Sequence, residues 1–269
     1  MSASVPIFTF RQGSAPLLVS IPHTGTYLPP HIANGMSTAA LNLPDTDWHL
    51  EALYDFLDEL GASVLVATHS RYVIDLNRPP DDANLYPGQD TTGLCPLDTF
   101  DRQPLYQPGM APSEVSIAQR RQQYWQPYHA ALAAELQRLR ELHGVAMLWD
   151  AHSIRSAVPR FFAGRLPDFN IGTADGASCA DDLSQQLSEI AHSANGYSTA
   201  LNGRFKGGYI TRRYGNPENN IHGVQLELSQ IVYMEEKFPF RFDEEIAQQV
   251  RPTLRRFLQT MLNWANLHR

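Results

Sequence analysis

The chain has 269 residues, 28 acidic against 21 basic side chains, and a formal net charge of -7. With 43% hydrophobic residues it is long enough for one large α/β domain, and its acidity excludes the basic surface that general nucleic-acid or anionic-membrane binding needs. Two cysteines, Cys95 and Cys179, exclude a disulfide framework and a thiolate zinc cluster.

In chain order, a set of short apolar runs each ends in polar chemistry. Leu17–Ile21 runs into Pro22-His23, and 63–67 into Thr68-His69. The run 72–76 leads to Asn77-Arg78, 145–149 to Asp150-Ala151-His152, and 224–226 to Glu227. Runs of this length rich in β-branched residues read as buried strands. Helical spacing lies between them. A helix is expected over 46–60, closed by Gly61; another over 113–142, capped by Ser113 and kinked at Pro127. A shorter one carries Leu183, Leu187 and Ile190. A last one spans 243–267 from Asp243, with a break or kink at Pro252. Strands alternating with helices predict a single α/β domain over 1–269, with a mixed, mostly parallel sheet flanked by helices. Residues 77–112 hold seven prolines and little periodicity, and read as a lid or rim over a site. The N-terminus lacks a signal-peptide pattern and no run reaches the ~18 apolar residues of a membrane span, so a cytoplasmic location is expected.

Ligands in such sheets bind beyond the C-terminal strand ends, where this sequence places its His, Asp, Asn, Arg and Glu residues. His23 and His152 both follow strands, and Asp45 and Asp47 stand at the start of a helix. Two imidazoles and one carboxylate leave a tetrahedral Zn²⁺ one open position, although either Asp would equally serve as a helix cap. Asp150 is placed to orient an imidazole. His49, His69 and His222 read as surface residues or as supports of the site. Glu227 ends an apolar run, where a carboxylate is costly without a partner or a task. It is either a salt-bridged core residue or a general base. Arg71 and Arg78 flank one run, and Arg204, Lys206, Arg212 and Arg213 crowd the stretch from Gly203 to Gly215. In an acidic chain such clusters suggest an anionic ligand, and guanidinium groups suit carboxylates. Arg204 reads as an ordinary solvated charge.

Six segments together resemble the N-formylglutamate amidohydrolase family: 20–25 (SIPHTG), 45–49 (DTDWH), 74–79 (IDLNRP), 150–153 (DAHS), 207–212 (GGYITR) and 225–230 (QLELSQ). The resemblance spans roughly His23 to Tyr233 in the family's order. It implies a fold similar to zinc carboxypeptidases and aspartoacylases, with one catalytic Zn²⁺. It implies His23 and His152 as zinc ligands, Glu227 as general base, Arg71 as the carbonyl-polarising arginine, and Asn77-Arg78 as a carboxylate-holding pair. The third residue after His23 is Thr26 rather than the Glu of those wider relatives. The third ligand therefore comes from elsewhere, and Asp47 is preferred to Asp45. The expected activity is zinc-dependent hydrolysis of N-formyl-L-glutamate to formate and glutamate in histidine breakdown, with Arg212 or Arg213 also holding a substrate carboxylate. The expected partner is a small acidic molecule, not nucleic acid or a membrane. The rival expectations are a related N-acyl-amino-acid hydrolase or carboxypeptidase-like peptidase, and a non-catalytic binding protein for acidic amino acids.

Overall fold

The computed structural model describes residues 5–268. Among the described residues seven strands form one sheet: β1 Phe8–Arg11, β2 Leu17–Ile21, β3 Ser63–Ala67, β4 Ala146–Ile154, β5 Phe169–Gly172, β6 Thr199–Leu201 and β7 Ile221–Ser229. Their order is β1-β3-β2-β4-β7-β5-β6. The β2/β3, β2/β4, β4/β7 and β5/β6 pairings are parallel, whereas β1/β3 and β5/β7 are antiparallel. The sheet is thus mixed and mostly parallel, as the alternation of strands and helices predicts. The apolar runs at 17–21, 63–67 and 224–226 lie in strands, and the run at 145–149 does so from Ala146 onward. β1, β5 and β6 are short, and the sequence pattern does not single them out.

The run Tyr72–Leu76 is not a strand. It belongs to a buried turn whose polar backbone groups find partners outside any ladder. Asp75 donates its N–H to the Leu94 carbonyl, and the Val73, Leu76, Arg78 and Pro80 carbonyls accept from Arg120, His129, Trp125 and Arg121. Residues 77–112 contain neither helix nor strand.

Among the helices, α1 (Pro30–Ala33), α2 (Thr38–Leu41) and α3 (Leu50–Leu53) are single turns. The helix expected over 46–60 is therefore only four residues long. Its N-terminal side is held by tertiary contacts: Asp47 N–H to the His23 carbonyl, the Tyr233 hydroxyl to the Trp48 carbonyl, and His49 Nε2 to the Phe240 carbonyl. His49 adopts φ 60°, which starts no regular helix further upstream. Its apolar residues Leu53, Phe56, Leu57 and Leu60 are buried all the same.

The 113–142 prediction corresponds to α4 (Glu114–Arg120), a π turn (Arg121–Trp125) and α5 (Gln126–His143), with Ser113 capping the N-terminus as expected. Pro127 stands in the first turn of α5, directly after the widened π turn. Its ring crowds the carbonyl four residues back, and Gln126 bonds to Arg121. α6 is Asp181–Ser193, α7 is Tyr209–Tyr214, and α8 is Glu244–Leu267, capped by Asp243. α8 runs unbroken through Pro252. Both Pro252 and Gln248 are exposed, so water can satisfy the carbonyl that loses its amide partner. No helix among the described residues is long and apolar enough to cross a membrane.

Period-two alternation divides the strand residues between two cores. Met147, Trp149 and Ala151 on β4, with Val224, Leu226 and Leu228 on β7, pack with α6 and α8. Ala146 and Leu148 face the opposite layer with α5. On that second face the next β4 residues are Asp150 and His152, so the apolar stripe turns polar at the C-terminal end of the strand.

His129 of α5 links this layer to the 76–80 turn. Its Nε2 donates to the Leu76 carbonyl at 2.9 Å, its Nδ1 accepts from the Tyr214 hydroxyl at 3.0 Å, and its ring stacks on Trp125. Burial lowers its pKa from 6.5 to about 4. The unfolded chain therefore takes up a proton near pH 6.5 that the folded protein refuses. Stability is complete above that pH and falls as the pH drops towards about 4, by up to about 3 kcal/mol from this residue. Urea midpoints between pH 7.5 and 4.5 should fall less steeply in His129→Gln than in the wild type; equal slopes would remove His129 from the account of acid stability.

Candidate active site

β2, β4 and β7 point their C-terminal ends at one cleft. The chain leaves β2 towards β3 on one side and pairs it with β4 on the other, so the cleft lies at the reversal of strand order. His23 lies two residues beyond β2, His152 is on β4 and Glu227 on β7. The β4/β7 register sets Asp150 opposite Gln225 and His152 opposite Glu227, so all four share one face. The space between the cleft walls, open solvent included, is about 570 Å³.

His23, Asp47 and His152 are buried, and each offers a ligand atom within 4.8 Å of the others. Asp47 Oδ2 stands 3.1 Å from His152 Nδ1 and 3.6 Å from His23 Nδ1. The far side of each ring is held by another carboxylate. His23 Nε2 is 2.7 Å from Asp75 Oδ1, and His152 Nε2 is 3.1 Å from Asp150 Oδ1. Such partners orient imidazoles for metal binding and leave the facing nitrogens free as donors. Three buried aspartates thus surround two imidazoles, with Arg71 as the guanidinium ion-paired to this group, and a divalent cation would offset the excess negative charge. The donor set fits a metal.

Burial alone would raise the Asp47 pKa, but the hydrogen bonds from His152 and His23 hold it below the carboxylate range. Burial would lower His152, yet Asp150 and Asp47 outweigh it and raise its pKa well above the ordinary value. Asp45 is elsewhere. Its Oδ2 accepts from the Tyr72 hydroxyl at 2.6 Å and from the Phe100 amide at 2.9 Å, and it does not line the cleft.

Glu227 lines the cleft and forms no salt bridge among the described residues; Gln225 Nε2 is 3.5 Å from its Oε2. Burial pushes its carboxyl up to about 8, with His152 opposing and Asp47 adding to the rise. Arg71 bonds Asp75 Oδ2 at 2.7 Å, lies 3.5 Å from Asp47, and its guanidinium rests over Phe100. Its Nε has no hydrogen-bond partner among the described residues.

Asn77 lines the cleft and braces the cluster. Its Nδ2 lies 2.9 Å from His152 Nε2 and 3.3 Å from Asp150 Oδ2, while its Oδ1 accepts from the Ile210 amide. Gly208 makes room for it: a Cβ there would lie 2.4 Å from Asn77 Nδ2. Gly208→Ala should therefore displace Asn77, destabilise the fold by about 1–3 kcal/mol, and lower activity. Thermal melts and kinetics on the same preparation check this, and an active, fully stable variant would contradict it.

Arg78 lines the cleft with its Nε on the Thr92 carbonyl. Arg212 and Arg213 do not line it. Arg212 donates to the Gly207 carbonyl, and Arg213 is exposed on α7. Arg204, read as a solvated charge, is half-buried in the cleft wall. His69 and His222 are buried against Tyr27 and Trp264 rather than at the surface, and with His49 they lie outside the cleft. Tyr86, Asp90, Thr91 and Phe100 bring the Pro-rich segment into the cleft wall. The sequence reading missed Asp75, although it shows the signal that picked out Glu227, a carboxylate inside an apolar run.

The sheet and its cleft define an α/β protein that receives a small polar molecule beside a candidate metal centre. The chain belongs to the N-formylglutamate amidohydrolase family, whose profile matches residues 15–234. It is 52% identical over 258 residues to the N-formylglutamate deformylase of Pseudomonas putida, covering 96% of each chain. It is also 52% identical to the N-formylglutamate deformylase of Pseudomonas aeruginosa PAO1, covering 96% of this chain and 97% of that one. Among solved structures it resembles the N-formylglutamate amidohydrolase of Ralstonia eutropha JMP134, with a TM-score of 0.84 at 25% identity, covering 98% of this chain and 100% of that one.

Proposed function

We propose that this protein hydrolyses N-formyl-L-glutamate to formate and L-glutamate, as a cytoplasmic single-domain enzyme of histidine breakdown with residues 77–112 as the rim of its site. The observation that carries the reading is the placement of Glu227 directly across the ladder from His152, in one cleft with His23, Asp47 and Arg71. The names of the relatives support the substrate.

His23, Asp47 and His152 would hold one Zn²⁺, which would supply Lewis acidity and lower the pKa of water towards ~7. Glu227 takes the proton of the attacking water and delivers it to the amino nitrogen that leaves. Its buried position raises its proton affinity, as a group that accepts and returns a proton requires. Arg71, held in place by Asp75, stabilises the formyl oxygen as negative charge grows there. Asp75 and Asp150 fix the two imidazoles, and Asn77 keeps His152 in register. Arg78 holds a substrate carboxylate over the reacting carbon.

Initial rates on a substrate panel test this. N-formylglutamate should be cleaved well, and N-formylglutamine and N-formylmethionine poorly, because an uncharged side chain leaves a guanidinium unpaired. N-acetylglutamate should be slower by a modest factor, since one methyl gives only ~1–3 kcal/mol of discrimination. Preference for a longer acyl group or a peptide would overturn the assignment and favour the related hydrolases. Binding of glutamate without turnover would favour a binding protein.

A further inference from the structure

Arg204 differs from the ion-paired arginines in and beside the cleft. Arg71 is ion-paired to Asp75, and Arg160 to Asp90 and Asp98. Arg204 and Arg78 line the same cleft, and neither forms a salt bridge among the described residues. Arg204 is held by backbone and rings. Its Nε donates to the Phe161 carbonyl at 2.7 Å and its Nη2 to the Asp90 carbonyl at 3.3 Å. Its guanidinium lies 5.6 Å from the Tyr86 ring centroid, 5.7 Å from that of Phe161 and 5.2 Å from that of Phe205. Tyr86 is fixed in turn by its hydroxyl on the Gly207 carbonyl and by the Arg212 guanidinium against its ring. A cation half-removed from water, caged by three rings and unpaired beside a second unpaired cation, is costly unless an anion joins it. Burial lowers its pKa, and Arg78 adds to that while Tyr86 and Glu227 offset part of it.

Position separates the two arginines. Arg78 follows Asn77, which touches His152. Among the described residues Arg204 makes no hydrogen bond or ion pair with His23, Asp47 or His152; its partners come from the Pro-rich segment and from residues 161 and 205. In a formyl-amino acid the α-carboxylate sits close to the reacting amide and the side-chain carboxylate farther out. We infer that Arg204 is the specificity-determining residue that binds the side-chain carboxylate of the substrate, leaving the α-carboxylate to Arg78. This rests on the formylglutamate reading above. It also gives the arginine cluster of the Gly-rich stretch a division of labour, in which Arg204 meets the substrate and Arg212 clamps Tyr86.

The test compares wild type, Arg204→Gln and Arg204→Lys on N-formyl-L-glutamate and N-formyl-L-glutamine, with calorimetric binding of L-glutamate and L-glutamine as a second readout. Arg204→Gln should lose at least ~10-fold in kcat/KM on N-formylglutamate, mostly through KM, because a charged hydrogen bond is removed. Its rate on N-formylglutamine should hold or rise, so the ratio between the two substrates collapses, and binding of glutamate should weaken while that of glutamine does not. Arg204→Lys keeps the cation in a folded wall and should lie between. Equal losses on both substrates, or unchanged glutamate binding, would overturn the role of Arg204 and leave the formylglutamate reading standing. A wild type that does not cleave N-formylglutamate would overturn the reading, and the role of Arg204 with it.

Discussion

Replacing Glu227 by glutamine is expected to lower kcat by at least ~10²-fold, the low end for a positioned acid–base group, with metal content at the wild-type level. The two side chains are nearly isosteric, so the cleft keeps its shape. Glutamine cannot accept a proton from water or return one to the departing amine. Glu227 forms no salt bridge among the described residues, so the neutral amide removes no ion pair. It also relieves the burial that pushes the carboxyl up to about 8, and stability should hold or rise. That pairing of lost rate with kept or gained stability marks a functional group. A large fall in melting temperature with near-normal kcat would instead make Glu227 a structural residue.

His23→Ala and His152→Ala should each abolish metal retention and, with it, turnover. Each imidazole joins the cluster at Asp47 and is held from behind by its own carboxylate, Asp75 or Asp150. Removing a ring takes away one of three donors and leaves a buried aspartate short of a partner, so these variants should also be less stable. Two aspartates control for that loss. Asp47→Asn should weaken metal binding strongly. Asp45→Asn should leave it nearly intact, because Asp45 serves Tyr72 and the Phe100 amide. Metal analysis of the four variants after gel filtration checks the order, and the reverse order for the aspartates would transfer the ligand role to Asp45.

The two central strands were legible because each is an apolar run that ends in a residue an apolar run does not tolerate, His152 on β4 and Glu227 on β7. Their adjacency was not, since pairing and register depend on the whole sheet, and β5 enters between β7 and β6 from a run of only four residues. Tyr72–Leu76 carries a strand's composition, but its Val73 and Leu76 carbonyls accept from side chains of α4 and α5, a tertiary choice that no local pattern encodes. Asp75 lies in that run and shows the signal of Glu227, but its pairing with His23 depends on the turn. Arg204, Arg212 and Arg213 share one charge cluster in sequence. Only folding separates them, because Gly207 and Gly208 turn the chain against β5 and Asn77 and leave Arg204 on the cleft wall and Arg213 outside.

The most direct test is formate release from N-formyl-L-glutamate by protein stripped with a chelator and then titrated with Zn²⁺. The account predicts no release from the stripped protein and full recovery at about one equivalent per chain, as expected for a site with three protein ligands and one open position. Full activity in the stripped protein, or no formate at any zinc concentration from folded protein, would contradict it.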